Sequence, residues 1–258
     1  MTSNSVSTPT QDDFKECYRG RQSALHHAAY MRMAKVLLAL HLCEKAGINL
    51  HGKDIFDYGF GAGTFYRYCP PDSRLFGVEM DAENVTAVRA MLRERGLAAA
   101  DLQMIEIERW QEHPLLARTY DFVLCSHVLE HLPDPVDFLR KMRDCLHPSS
   151  AFMGLVPLNE RTMDPRHVQS VNRAKVEEWV NESGLRLTHY LEGDPLIYWP
   201  QPVFASSRGI MRALAQAISL GLGIPATLLG PRLWPLVGKV GALLTRSLPT
   251  QAAFILTR

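Results

Sequence analysis

Residues 57–63 read DYGFGAG and close a short apolar run that begins at Asp54. Gly59, Gly61 and Gly63 give up side chains at every second position, just where a buried strand should be ending. That spacing serves a tight turn, or the approach of something to the backbone more closely than a Cβ allows. The rest of the chain supplies the context. DIFDYG (54–59), LFGVEMD (75–81), LQMIEI (102–107), YDFVLCS (120–126), AFMGLVPL (151–158), LRLTHYLEGD (185–194) and QAAFILTR (251–258) read as strands. Between them AENVTAVRAMLRERG (82–96) reads as a helix, capped by Asp81 and closed by Gly96. PVDFLRKMRDCL (135–146) and NRAKVEEWVNESG (172–184) read as two more. The alternation predicts an α/β fold, a doubly wound seven-stranded and mostly parallel sheet covered on both faces.

In such a sheet ligands bind beyond the carboxyl ends of the strands, where the chain order reverses. The three glycines stand there, expected in the turn from the first strand into a helix. The second strand ends in VEMD and sets Glu79 about 20 residues downstream, the place for an acid that holds ribose hydroxyls. Dinucleotide sites place a third glycine three residues after the second to seat a pyrophosphate. The spacing here is GxGxG, so the ligand reads as a nucleoside without a diphosphate.

With these motifs in order, the sequence resembles the class I S-adenosylmethionine-dependent methyltransferases. DYGFGAG stands at that family's first motif, GVEMD at its second-strand acid, and YDFVLCSHVLEHLPDP at its fourth-strand segment. CLHPSSAFMGLVP matches its next helix and strand, with Ser149–Ser150 where Gly-Gly is usual. The resemblance implies a Rossmann-like fold and S-adenosylmethionine as cofactor. It implies that the backbone at Gly59, Gly61 and Gly63 lies against the methionine moiety, that Asp57 orients its ammonium, that Glu79 takes the ribose and that Met80 packs on adenine. Glu108 would accept from the adenine amino group, Arg109 and Trp110 would flank the ring, and Cys125 and Ser126 would close the methionine side. Tyr58 and Phe60 are bulky for the motif and would narrow the methionine end.

Methyl transfer from a sulfonium needs alignment and exclusion of water, and a base if the acceptor is a hydroxyl. Histidine titrates in the useful range. By the resemblance His131, just beyond the fourth strand, and His167, in MDPRHVQS after the fifth, are the catalytic candidates. The plain alternatives are a histidine bonded to backbone at a helix start and an ordinary loop residue. His127, Glu130 and His131 also have i, i+3, i+4 spacing, which on one helical turn would present three metal ligands. Some quinone-pathway relatives use a similar cluster for a divalent ion. His127 replaces an acid of that cluster, and the reading adopted is no metal.

At 258 residues, 47% hydrophobic and 21% charged, the chain has the composition of a soluble globular protein. Five scattered cysteines without CxxC spacing suit a reducing compartment, and the polar start has no apolar signal segment, so the cytoplasm is expected. Residues 1–13 read as a disordered tail, 14–50 as a helical cap that completes the pocket wall, 51–194 as the core and 250–258 as its last strand. In the cap, Met31, Ala34, Leu38 and Leu42 follow helical spacing. Residues 195–249 form an insertion.

The net charge of +1 conceals an asymmetry. From Pro195 onward there are six Lys or Arg and no Asp or Glu, which leaves −5 for the first 194 residues. In the insertion Ile210, Met211, Leu214 and Ile218 share a helical face, with Arg208 and Arg212 opposite. Residues 213–231 are uncharged, but Gly221, Gly223, Pro225 and Pro231 interrupt them, which argues against a membrane span. Three readings stay open for the insertion: a lid over a lipophilic acceptor, a peripheral membrane anchor, and a homodimer contact.

The sequence thus predicts a methyltransferase acting on a small or lipophilic acceptor, most simply at oxygen, in secondary, lipid or quinone metabolism. N- or C-methylation, a non-methylating reaction on the same fold, and a non-catalytic assembly protein are the alternatives. The acidic core lacks a nucleic-acid methylation motif, so no nucleic-acid partner is expected.

Overall fold

The computed structural model describes residues 30–97, 100–160, 166–193 and 249–258, with ten single positions between 214 and 240. Seven strands form one sheet: β1 (Asp54–Tyr58), β2 (Arg74–Glu79), β3 (Ala100–Met104), β4 (Tyr120–Ser126), β5 (Leu146–Pro157), β6 (Arg186–Gly193) and β7 (Gln251–Thr257). Their order is β3-β2-β1-β4-β5-β7-β6, with β1 to β5 parallel and β7 antiparallel to both of its neighbours. The sheet agrees with the expected architecture. Chain order reverses between β1 and β4, which opens a crevice beyond Tyr58 and Cys125, partners across that pair.

Strands covered on both faces are mostly apolar, and Ile55, Phe56, Phe122, Val123 and Leu124 fill the centres of β1 and β4, with Asp57 the buried exception. On one face α1 (Tyr30–Lys45) and α2 (Ala82–Glu94) contribute Leu38, Leu42, Val85, Val88 and Leu92 to the core. On the other, α3 (Pro135–Asp144) and α4 (Arg173–Ser183) contribute Phe138, Leu139, Met142, Val176, Trp179 and Val180. The caps follow the sequence. Asp81 accepts from the Glu83 amide, and Gly96 ends α2 in the left-handed region at φ 73°. The tail 1–13, residues 14–29 of the cap, and most of 195–249 lie outside the described residues.

Three expectations are corrected. The glycine turn runs into one 3₁₀ turn, Phe65–Tyr68, and not a helix. Its aromatic rings are drawn inward, Phe65 and Tyr66 being buried, and Pro70–Pro71 forbid continuation. The third strand is Ala100–Met104, earlier than LQMIEI, because β2 ends at Glu79, the partner of Met104, and leaves nothing to pair beyond it. The fifth strand starts at Leu146 and not Ala151. Between those residues β4 advances only from Tyr120 to Phe122, so HPSS is a bulge fastened by Ser150 Oγ donating to the Tyr120 carbonyl.

Candidate active site

Asp57 ends up at the crevice because its strand is central: its neighbours in register are Gly77 on β2 and Leu124 on β4. Its side chain is buried and Oδ1 has no hydrogen-bond partner. Burial, and then the charge of Glu79, push its carboxyl well above the usual range. An orphaned buried acid of this kind calls for a cationic ligand group.

The three glycines all have positive φ, at 75°, 53° and 68° for Gly59, Gly61 and Gly63, and they do different things. A Cβ on Gly59 would strike Val128 Cγ2 at 2.8 Å, and one on Gly63 would strike Val88 Cγ1 at 2.7 Å. A Cβ on Gly61 would meet nothing within 4 Å. Two glycines therefore let the protein pack against its own turn. The third faces open space, the arrangement expected of a cradle for a ligand.

Glu79 closes the other side. Its Oε2 accepts from the Gly61 amide at 2.7 Å, and Oε1 accepts from the Met80 and Asp81 amides at 2.9 and 3.3 Å. The carboxylate thus ties the end of β2 to the glycine turn. Burial raises its pKa to about 7, the three amides working the other way. Met80 follows, half-buried. Glu108 and Arg109 are exposed on the stretch after β3, where Arg109 Nε donates to Glu112 at 3.1 Å. Trp110 is half-buried. It packs edge-on against Tyr58 at 6.1 Å and against Phe138 at 5.4 Å. Cys125 is fully buried with its thiol pKa raised by burial, and Ser126 is half-buried at the end of β4. Both mark the far wall of the crevice.

Val128, against Gly59, joins the glycine turn to the loop that carries the histidines. His131 Nδ1 lies 3.0 Å from the Arg166 carbonyl, which can only accept, so Nδ1 is the protonated nitrogen and Nε2 bears the lone pair. His167 Nδ1 lies 2.7 Å from Glu160 Oε2 and is fixed in the same way. The two rings meet edge to face, 4.7 Å between centroids. Burial lowers the pKa of His131, which keeps it neutral and able to take a proton at pH 7. The sequence reading named both histidines but missed Glu160, whose only signal was an acid seven residues before His167.

His127, Glu130 and His131 do not share a helical turn. His127 is left-handed at φ 57°, its amide bonded to the Leu155 carbonyl, and only Leu129–His131 form a 3₁₀ turn. Its Nδ1 is 3.1 Å from Glu130 Oε1, off the line of a hydrogen bond. Burial drives the pKa of His127 down to about 4. Glu130 is fully buried and neither oxygen has a hydrogen-bond partner. Burial opposes its charge, but His127 and His131 outweigh that and hold its pKa below the ordinary value. Among the described residues, the acid/histidine group whose ligand atoms converge, within 4.8 Å of one another, is Glu130, His131 and His167. His167 stands where helical spacing had suggested His127.

A methyltransferase-domain model matches residues 25–190, and the chain belongs to that family. A ubiquinone biosynthesis O-methyltransferase of Sodalis glossinidius is 26% identical over 191 residues, 67% of this chain and 73% of that one. The chain spans about half the length of other relatives so described. Among solved structures, coclaurine N-methyltransferase bound to N-methylheliamine and SAH superposes with a TM-score of 0.61 at 12% identity, over 99% of this chain and 81% of that one. The phosphoethanolamine N-methyltransferase 2 of Haemonchus contortus, in complex with S-adenosyl-L-methionine, gives 0.59 at 13% identity, over 98% and 60%. The protein is an S-adenosylmethionine-dependent methyltransferase. The orphaned Asp57 acid, the Gly61 cradle and the Glu79 carboxylate fit that cofactor.

Proposed function

We propose that the protein methylates a hydroxyl oxygen on a small, lipophilic acceptor of the phenol or quinol type. The observation that carries this is the His131–His167 pair, oriented by the Arg166 carbonyl and Glu160, and joined to the glycine turn through Val128 and Gly59. A hydroxyl must lose its proton as the new bond forms, and a neutral imidazole at the acceptor can take it. S-adenosylmethionine supplies the electrophilic methyl group. The chain orients it with Asp57 and Glu79 and keeps water from the crevice with Tyr58, Phe60 and Val128. The Sodalis relative is an O-methyltransferase, which favours oxygen as well. The described cysteines are unpaired and buried, in keeping with action in the cytoplasm.

Incubation with methyl-labelled cofactor and pools of phenols, quinols and amines tests the reading. Label on oxygen, located by fragmentation, supports it; label on nitrogen or carbon with oxygen untouched overturns it. A second reading is favoured by the convergence of the buried Glu130 carboxylate with His131 and His167, a divalent ion being held by the three. On that reading a chelator abolishes turnover and added metal restores it. On the first, turnover ignores the chelator.

A further inference from the structure

We propose that the exposed apolar side chains Leu214, Ile218, Leu228, Leu233 and Val240 dock on an anionic lipid bilayer and bring the catalytic end of the sheet to it. These residues are 50%, 37%, 82%, 49% and 46% exposed, and they make up five of the seven large hydrophobic side chains exposed among the described residues. A water-facing helix keeps polar groups outward. Here Leu214, Ala217, Ile218 and Gly221 are helical and exposed at i, i+3, i+4 and i+7, so one whole outward stripe is apolar. The half-buried Leu220 lies off that stripe.

Charge selects the occupant. From Pro195 to the end the chain carries six Lys or Arg and no Asp or Glu. A cation-rich segment with an outward apolar face matches a surface of anionic headgroups over acyl chains. Two copies docked through this same segment would set like charge against like.

Position gives the docking its use. The segment leaves the sheet after Gly193 and returns at Thr250, whose amide donates to the Gly193 carbonyl at 3.2 Å. Gln251 pairs with Pro157 at the carboxyl end of β5, and Asn159 Nδ2 donates to the Pro249 carbonyl at 2.8 Å. Glu160, the partner of His167, is the next residue. The apolar segment therefore springs from the end of the sheet that holds the histidines, where an acceptor leaving a bilayer would arrive. The docking stands whichever acceptor atom is methylated.

Co-sedimentation of the full chain with vesicles tests it. Pelleting is expected with phosphatidylglycerol/phosphatidylcholine vesicles, weakly or not at all with phosphatidylcholine alone, and less as salt rises. The double substitution Leu214→Asp, Ile218→Asp should abolish pelleting while S-adenosylmethionine binding by calorimetry is unchanged, which shows the fold intact. Arg208→Glu with Arg212→Glu should lower partitioning about 30-fold, from roughly 1 kcal/mol per basic residue. Absence of pelleting by the unaltered protein overturns the proposal. So does unaltered pelleting by the aspartate variant, or a concentration-dependent dimer at sedimentation equilibrium that the same variant dissociates.

Discussion

Gly61 and Gly63 share a left-handed backbone but not a neighbourhood, and their substitutions should separate binding from folding. Alanine at 61 meets no atom, so its cost to the fold is the backbone strain, about 1–2 kcal/mol. The methyl group would instead project into the cradle, and calorimetry should show S-adenosylmethionine affinity falling by about tenfold or more. Alanine at 63 adds a collision with Val88 to the same strain and should lose a further ~1–3 kcal/mol in denaturant melts. Equal effects of the two on cofactor affinity would sink the distinction. The glycines themselves were legible in the sequence, but their division of labour was not, because it depends on Val128 and Val88 arriving from other elements.

Glu79 carries a pH signature. Its folded pKa of about 7 stands above its unfolded value of 4.5. The fold then holds that proton more tightly than the unfolded chain does. The contribution is full below 4.5 and fades as pH climbs through 7, by about 3 kcal/mol in the protein without cofactor. Asp57 acts in the same direction. His127, with its pKa lowered from 6.5 to about 4, acts against it, its contribution present above 6.5 and lost as pH falls through 4. Comparison with Glu79→Gln isolates the Glu79 part. The variant should lose less stability than the parent between pH 5 and pH 7.5, and parallel profiles would refute the assignment.

At the scale of elements, the last strand is held by a fit between Gly154 on β5 and Phe254 on β7, partners in register. A Cβ on Gly154 would lie 2.3 Å from the Phe254 ring, so Gly154→Ala should cost about 1–3 kcal/mol. Phe254→Leu alone also destabilises by loss of packing, yet the double variant should be less damaged than the sum of the two. A coupling of at least ~0.5 kcal/mol is expected, and strict additivity would argue that the ring moves aside. Elements of this sort were legible where local pattern and pairing agreed. YDFVLCS was found to the residue, and both Asp81 and Gly96 fell where their chemistry predicts. Legibility failed where pairing decides alone. LQMIEI keeps the alternation of a strand past Met104, but β2 has already ended. The bulge at HPSS leaves no periodic trace, because the shift against Tyr120 and Phe122 is a relation between two strands. The helix expected after the glycines had its contrary signal in print, in Pro70–Pro71.

Over the whole molecule, topology assembles what the sequence scatters. Asp57, Glu79, His131 and His167 are far apart in the chain and are carried to one edge of the sheet because β1, β2, β4 and β5 end there. His167 joins Glu130 and His131 through long-range contacts, among them the Val168 amide on the Glu130 carbonyl at 3.0 Å. No spacing rule could supply that, which is why the cluster read along the helix named His127 in its place. On the proposed function this cluster removes the acceptor's proton while the glycine turn holds the cofactor independently. This is tested most directly by measuring turnover and cofactor affinity on the same preparations of His131→Ala and His167→Ala, with the acceptor found by methyl labelling. Turnover should fall by about 10²–10⁴-fold with S-adenosylmethionine affinity nearly unchanged. Full turnover in both variants, or a loss explained by failed cofactor binding, would contradict it.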